Sequence, residues 1–156
     1  KGSWAGAMGQ SQFMPSSFLR FAVDHNGDGH RDIWVTRPDV FASAANYLSG
    51  SGWKKGERWG REVTIPAGFN RTLIGMDAGR HSISWWQSKG VRLADGKSTL
   101  PVNDTLGTAS LFQPDGPKGR AFLVYDNYRV IMAWNKSVYF ATSVGLLSDR
   151  IRGGNS

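Results

Sequence analysis

Cysteine is absent from the 156 residues, so no disulfide, thiolate nucleophile or cysteine-held metal site can form. That absence is neutral on compartment, because a chain of this length can bury a core that needs no crosslinks. No apolar run is long enough to span a bilayer. Lys1, Gly2, Ser3 and Trp4 show neither an initiator Met nor a basic-then-apolar leader, and the chain is expected to start inside a longer product. Repeats and low-complexity tracts are missing. Dense runs of Lys or Arg are missing too, which argues against a nucleic-acid-binding arm. Glutamate is scarce, with only Glu57 and Glu62.

What is present describes a soluble globular domain, with 40% hydrophobic and 20% charged residues. A net charge of +7 favours anionic polymers such as carboxylate-bearing cell wall, or it is a solvated basic face. The seven Trp suit sugar stacking, although most of them, Trp34, Trp53 and Trp85 among them, read better as core or loop anchors.

The pattern predicts a mainly α (α+β) fold. A short helix is expected over Pro15 to Val23, with Phe18, Leu19 and Ala22 on one side and Pro15 in the first turn. A second is expected from about Pro38 to Leu48, with Val40, Phe41, Ala44, Ala45 and Leu48 as its apolar stripe and Gly50 as its stop. Trp59 to Ile65 and Ala109 to Phe112 look strand-like or irregular between Gly- and Pro-rich loops, and Ala121 to Tyr125 alternates weakly, as a strand would. Ser82 is a plausible cap for a helix ending at Gly90. Phe140, Val144, Leu147 and Ile151 recur at helical spacing and mark the last helix, ended by Gly153 and Gly154.

Gly2 to Ser17 reads GSWAGAMGQSQFMPSS. Gly6, Ala7 and Gly9 allow close backbone approach, to a neighbour or to a ligand. Gln12 offers donors and acceptors suited to a sugar hydroxyl or acetamide, and Phe13 and Met14 offer apolar surface. A tightly packed loop before a helix has the same composition. The string resembles the AGAMG-x-x-QFMPSS signature of lytic transglycosylases related to membrane-bound transglycosylase B, glycoside hydrolase family 103. The DGHRDIW loop, the Ala44–Leu48 helix, the Gly52–Gly56 turn, Gly90-Val91-Arg92 with Asp95-Gly96 and the stretch from Tyr125 to Ile151 resemble it too.

The resemblance implies a lysozyme-like fold and cleavage of the β-1,4 bond between N-acetylmuramic acid and N-acetylglucosamine. It implies one partial catalytic domain over 1–156, with helical cleft-forming parts at 1–52 and 121–152. Residues 53–120 would be a loop-rich insertion carrying short strands. In such enzymes a single Glu protonates the glycosidic oxygen, then takes a proton from the muramic C6 hydroxyl, which closes on C1 as a 1,6-anhydro product. An ordinary glycosidase needs two carboxylates. The family's Glu lies upstream of the signature. Glu57 and Glu62 sit in KKGERWGREV, which does not match that motif, and no catalytic residue is expected in this chain. Ser3, Gln12 and Met14 map to the substrate cleft. Asn135 would reach the sugar, and Trp134 would replace the family's Tyr. A following Tyr falls nearest Phe140, with Tyr139 one residue early.

Asp24, Asn26, Asp28 and Asp32, with the carbonyl of His30, have EF-hand spacing, and Gly29 supplies the sharp turn. The last position, where relatives carry an acid, holds Val35. A structural Ca2+ is one expectation, and a loop held by Asp and Asn turns is the other. His25, His30 and His81 form no helical zinc pair, and no nucleophile-elbow motif accompanies the Ser residues. The expected partners are peptidoglycan strands, cell-wall complexes and a separate N-terminal segment of the same protein, in a Gram-negative periplasm or envelope. A non-catalytic glycan-binding module is the alternative. A dockerin-like calcium module is weaker, because its loop repeats and this one occurs once.

Overall fold

The computed structural model describes residues 3–101 and 107–153. Gly2 of the signature and Gly154, expected to help end the last helix, lie outside the described residues. The chain forms two compact units, Lys1–Trp53 and Lys54–Ser156.

The first unit pairs helices α1 (Pro15–Phe21) and α2 (Arg37–Gly50). Each carries Pro in its first turn, where the missing N–H costs nothing. α1 ends two residues earlier than expected, and Ala22 caps it by donating its N–H to Phe18. The expected apolar faces are corrected here. Leu19 is 71% and Phe41 70% exposed, and Ala45 is exposed as well. α2 instead buries Asp39, Val40 and Ser43. Gly50 does not stop α2. It belongs to the last turn, and Gly52, at φ +96°, makes the exit.

The second unit is built on a five-stranded antiparallel sheet of β1 (Gly60–Thr64), β2 (His81–Ser82), β3 (Arg92–Leu93), β4 (Thr108–Phe112) and β5 (Ala121–Val124), in the order β2-β4-β5-β1-β3. β1, β4 and β5 match the strand-like segments read from the sequence, but the two short strands went unread. All four β5 residues are buried, because the strand is covered on both faces. Ala121 and Leu123 join a cluster with Val63, Trp86, Val91, Leu100 and Leu111. Phe122 and Val124 face the other way, toward Trp59, Tyr128, Ile131 and Ala141. Successive strand residues point to opposite faces, which sorts the two clusters.

Helix α3 (Ile83–Ser88) starts as expected, with the Ser82 hydroxyl accepting the Trp85 N–H. Helix α4 (Asp126–Trp134) falls in the 121–152 stretch expected to be helical, as a helix separate from the last one. Asn127, fully buried on α4, holds the 54–57 turn. Its amide nitrogen donates to the carbonyls of Lys54 and Glu57, both at 2.9 Å, and its amide oxygen accepts the Lys54 N–H at 2.8 Å.

Helix α5 (Val138–Ile151) forms where the periodicity placed it, but on the opposite face. Ala141, Thr142 and Gly145 are buried. The predicted stripe of Phe140, Val144, Leu147 and Ile151 is exposed, from 36% to 79%. The small face is inward because Trp59 lies against it: a Cβ on Gly145 would sit 2.3 Å from the indole ring.

Candidate functional site

The signature folds as a tight hairpin. Met8 donates to the Phe13 carbonyl at 2.8 Å, and Phe13 donates back at 3.0 Å. Its tip is docked on the cation-type loop. The Gln10 backbone N–H donates to the Ile33 carbonyl at 2.8 Å, and the Gln10 side chain donates to the Trp34 carbonyl at 2.7 Å. Gly9 has φ +64°, and a Cβ there would lie 2.5 Å from the Ile33 oxygen. At Gly9, then, the small residue serves packing against a neighbour.

Gln12 is different. It has φ 52° and is the only non-glycine with positive φ among the described residues. A left-handed L-residue costs about 1 kcal/mol. Glycine would remove that cost, so the strained position keeps a long polar side chain for what the side chain does. Its amide nitrogen donates to the Gly9 carbonyl at 2.7 Å, which fixes the direction of the amide oxygen. Ser3 closes a preceding turn. Its hydroxyl accepts the Ala7 N–H at 3.1 Å and its carbonyl accepts the Gly6 N–H at 2.9 Å. Met14, 44% exposed at the start of α1, lies beside Gly6. The structure therefore gathers Ser3, Gln12 and Met14 on one docked, solvent-facing segment.

Trp134 and Asn135 fall at the α4–α5 turn of the second unit. Trp134 is half-buried at the end of α4. The Asn135 amide oxygen accepts the Ser137 N–H at 2.9 Å, and the Ser137 hydroxyl caps α5 by accepting the Phe140 N–H. Asn135 is exposed, and Tyr139 and Phe140 beyond it are 60% and 39% exposed.

Glu62, on β1, receives Arg120 through two hydrogen bonds, Nε to Oε1 at 2.7 Å and Nη2 to Oε2 at 2.5 Å. The bonded guanidinium holds its carboxyl below the usual range. A proton donor to a glycosidic oxygen needs the reverse shift, so Glu62 is a poor acid.

The cation-type loop is folded by its own N–H groups. Asp24 accepts from Gly27, Asp28 and Gly29. Asp28 accepts from the Asn26 side chain and the His30 N–H, which hold its carboxyl below the ordinary value. Asp32 accepts from Trp34, Val35 and Thr36, and these bonds lower it as well. Among the described residues no three acidic or histidine side chains converge enough to hold a metal ion. Val35, 79% exposed, adds no oxygen. The donor set falls short of the roughly six to eight oxygens that calcium takes. The residue that closes this loop is Asp39, which sequence reasoning missed. Fully buried on α2, it accepts the N–H groups of His25 at 2.9 Å and Asp32 at 3.0 Å. An acid in the first turn of a helix was its only signal, and that is a common one.

The signature hairpin thus carries one strained glutamine, and Glu62 in the other unit is tied to Arg120. The chain belongs to the transglycosylase SLT domain family, whose profile matches residues 1–149, and it carries that family's lysozyme-like transglycosylase fold. It is 34% identical to membrane-bound lytic murein transglycosylase B of Escherichia coli, over 97% of this chain and 39% of that protein. SltB3 of Pseudomonas aeruginosa, solved with NAG-anhNAM-pentapeptide, superposes with a TM-score of 0.91 at 47% identity, covering 99% of this chain and 40% of that one. An Escherichia coli lytic transglycosylase solved with calcium gives a TM-score of 0.71 at 34% identity, over 92% of this chain and 43% of that one. The chain thus spans about two-fifths of the length of these relatives.

Proposed function

We propose that this chain is the substrate-binding portion of a peptidoglycan lytic transglycosylase acting in a Gram-negative periplasm or envelope. The reaction is non-hydrolytic cleavage of the MurNAc-β-1,4-GlcNAc bond. The donor's proton goes to the glycosidic oxygen as the C1–O bond breaks. The C6 hydroxyl then gives its proton to the donor's carboxylate and bonds to C1. The observation that carries this reading is Gln12, held left-handed within the family's signature hairpin. In this reading Ser3, Gln12 and Met14 of the first unit contact glycan, and Trp134 and Asn135 of the second do so too. Neither Glu57 nor Glu62 is the donor: Glu62 is committed to Arg120, and Glu57 lies outside the family's acid motif.

The test is a digest of purified peptidoglycan, read by mass spectrometry for 1,6-anhydro-muramyl ends. The expected result is no such ends from these 156 residues and abundant ends from the full-length protein. Anhydro ends from this chain alone would overturn the assignment of the donor. In the full-length protein, Gln12→Ala is expected to raise KM about tenfold, the loss of one hydrogen bond to a neutral group. Unchanged kinetics with an unchanged fold would remove Gln12 from the cleft.

A further inference from the structure

A cavity of about 300 Å3 opens in the second unit, bounded by β1, the turn after β3 and the end of α5. Arg58, Arg61 and Arg150 line it beside the Glu62–Arg120 pair. The acids on its wall are already committed. Glu62 is held by both Arg120 bonds. Asp149 accepts the Trp59 indole N–H at 2.9 Å. Asp95 accepts the N–H groups of Lys97 and Ser98, each at 2.8 Å, and the Ser98 hydroxyl.

The arginines are in the opposite condition. The Nε atoms of Arg58 and Arg61 are buried without a hydrogen-bond partner. Both Nε–H groups are donors only. A guanidinium cannot shed its charge, and a buried donor without an acceptor is costly. No carboxylate of the wall bonds either Nε–H, so both lack an acceptor with negative charge. A planar carboxylate, with two oxygens for two guanidinium forks, matches them best.

We propose that this cavity binds a carboxylate of the peptide carried by peptidoglycan strands. The polymer's identity rests on the function proposed above, whereas the demand for a carboxylate rests on Arg58 and Arg61. Phosphate shares the anionic chemistry and is separated by the test.

The experiment titrates the 15N-labelled chain with four probes: a disaccharide-pentapeptide, the peptide-free disaccharide, the free pentapeptide, and that pentapeptide with its carboxylates amidated. The readouts are affinity and the Nε–H resonances of Arg58 and Arg61. The expected result is about tenfold tighter binding of the peptide-bearing sugar than of the peptide-free one, typical of one good charged contact. The free pentapeptide shifts both resonances and the amidated form does not. Arg61→Lys, which keeps the charge but loses the fork, abolishes the tenfold advantage. Equal effects of the free and amidated pentapeptides, or unmoved Nε–H resonances, overturn the proposal. Equal shifts from inorganic phosphate at the same concentration overturn its assignment to a carboxylate. If neither sugar binds while the free pentapeptide still moves both resonances, the glycan reading fails and the carboxylate site stands.

Discussion

Gly145→Ala offers a sharp test of the packing between α5 and the sheet. In an open helix this change stabilises by about 0.5–1 kcal/mol, because alanine loses less backbone entropy. Here the new methyl carbon would lie 2.3, 2.4 and 2.7 Å from three atoms of the Trp59 ring. Carbon atoms rest at about 3.5–4.0 Å, so ring and helix must part by roughly 1 Å. The ring has little room to retreat. Phe122 and Tyr128 both lie against it in tilted contacts, with ring centroids at 5.9 Å. Moving the helix strains the bond between the Trp59 indole and Asp149, one turn beyond Gly145. Overpacking a formed core costs about 1–3 kcal/mol, and the upper half of that range applies where both partners are tethered. The net expectation is a loss of about 2 kcal/mol, read as a lower urea midpoint at unchanged slope. Trp59→Phe frees space, so the double variant is expected to show a coupling of at least about 1 kcal/mol. A Gly145→Ala protein as stable as the parent, or more stable, would refute the argument.

Asn127→Ala is expected to cost about 2 kcal/mol by urea unfolding, because three bonds to the 54–57 turn lose their buried partner. A loss under about 0.5 kcal/mol would mean the turn holds itself. Val35→Glu supplies the missing oxygen ligand of the Asp24–Asp32 loop. Calorimetry is expected to show Ca2+ binding at least about tenfold tighter than in the parent, and no change would mean the loop cannot converge on an ion. Asp126 is held below its ordinary value first by Lys54, at 2.7 Å, and also by Arg80. A depressed carboxylate contributes stability above its unfolded value, near pH 4, and loses it as pH falls through the folded value. The pair is partly exposed, so the contribution is below about 1 kcal/mol. Asp126→Asn is expected to flatten that acid limb, and an identical limb would contradict the assignment.

Much of this molecule is legible along the chain. The Ser82 cap, the three longer strands and the positions of α1, α2, α3 and α5 follow from hydrogen-bonding chemistry and periodicity. The signature groups Ser3, Gln12 and Met14 in one short segment, and all three are exposed on it. The strain on Gln12 could not be read, because a left-handed φ leaves no mark on a residue that is not glycine. Asn127 and Asp39 were equally silent. A buried amide or carboxylate looks like a surface one until the N–H and carbonyl groups it serves are brought to it.

Which residues share a face is legible along the chain, because 3.6-residue and 2-residue repeats are local properties of the backbone. Which face turns inward depends on the neighbours that packing brings against it. On α5 the large stripe of Phe140, Val144, Leu147 and Ile151 has the spacing of a core-facing helix. Yet the small face of Ala141 and Gly145 took the inward place, since only a surface without side-chain bulk admits the ring of Trp59.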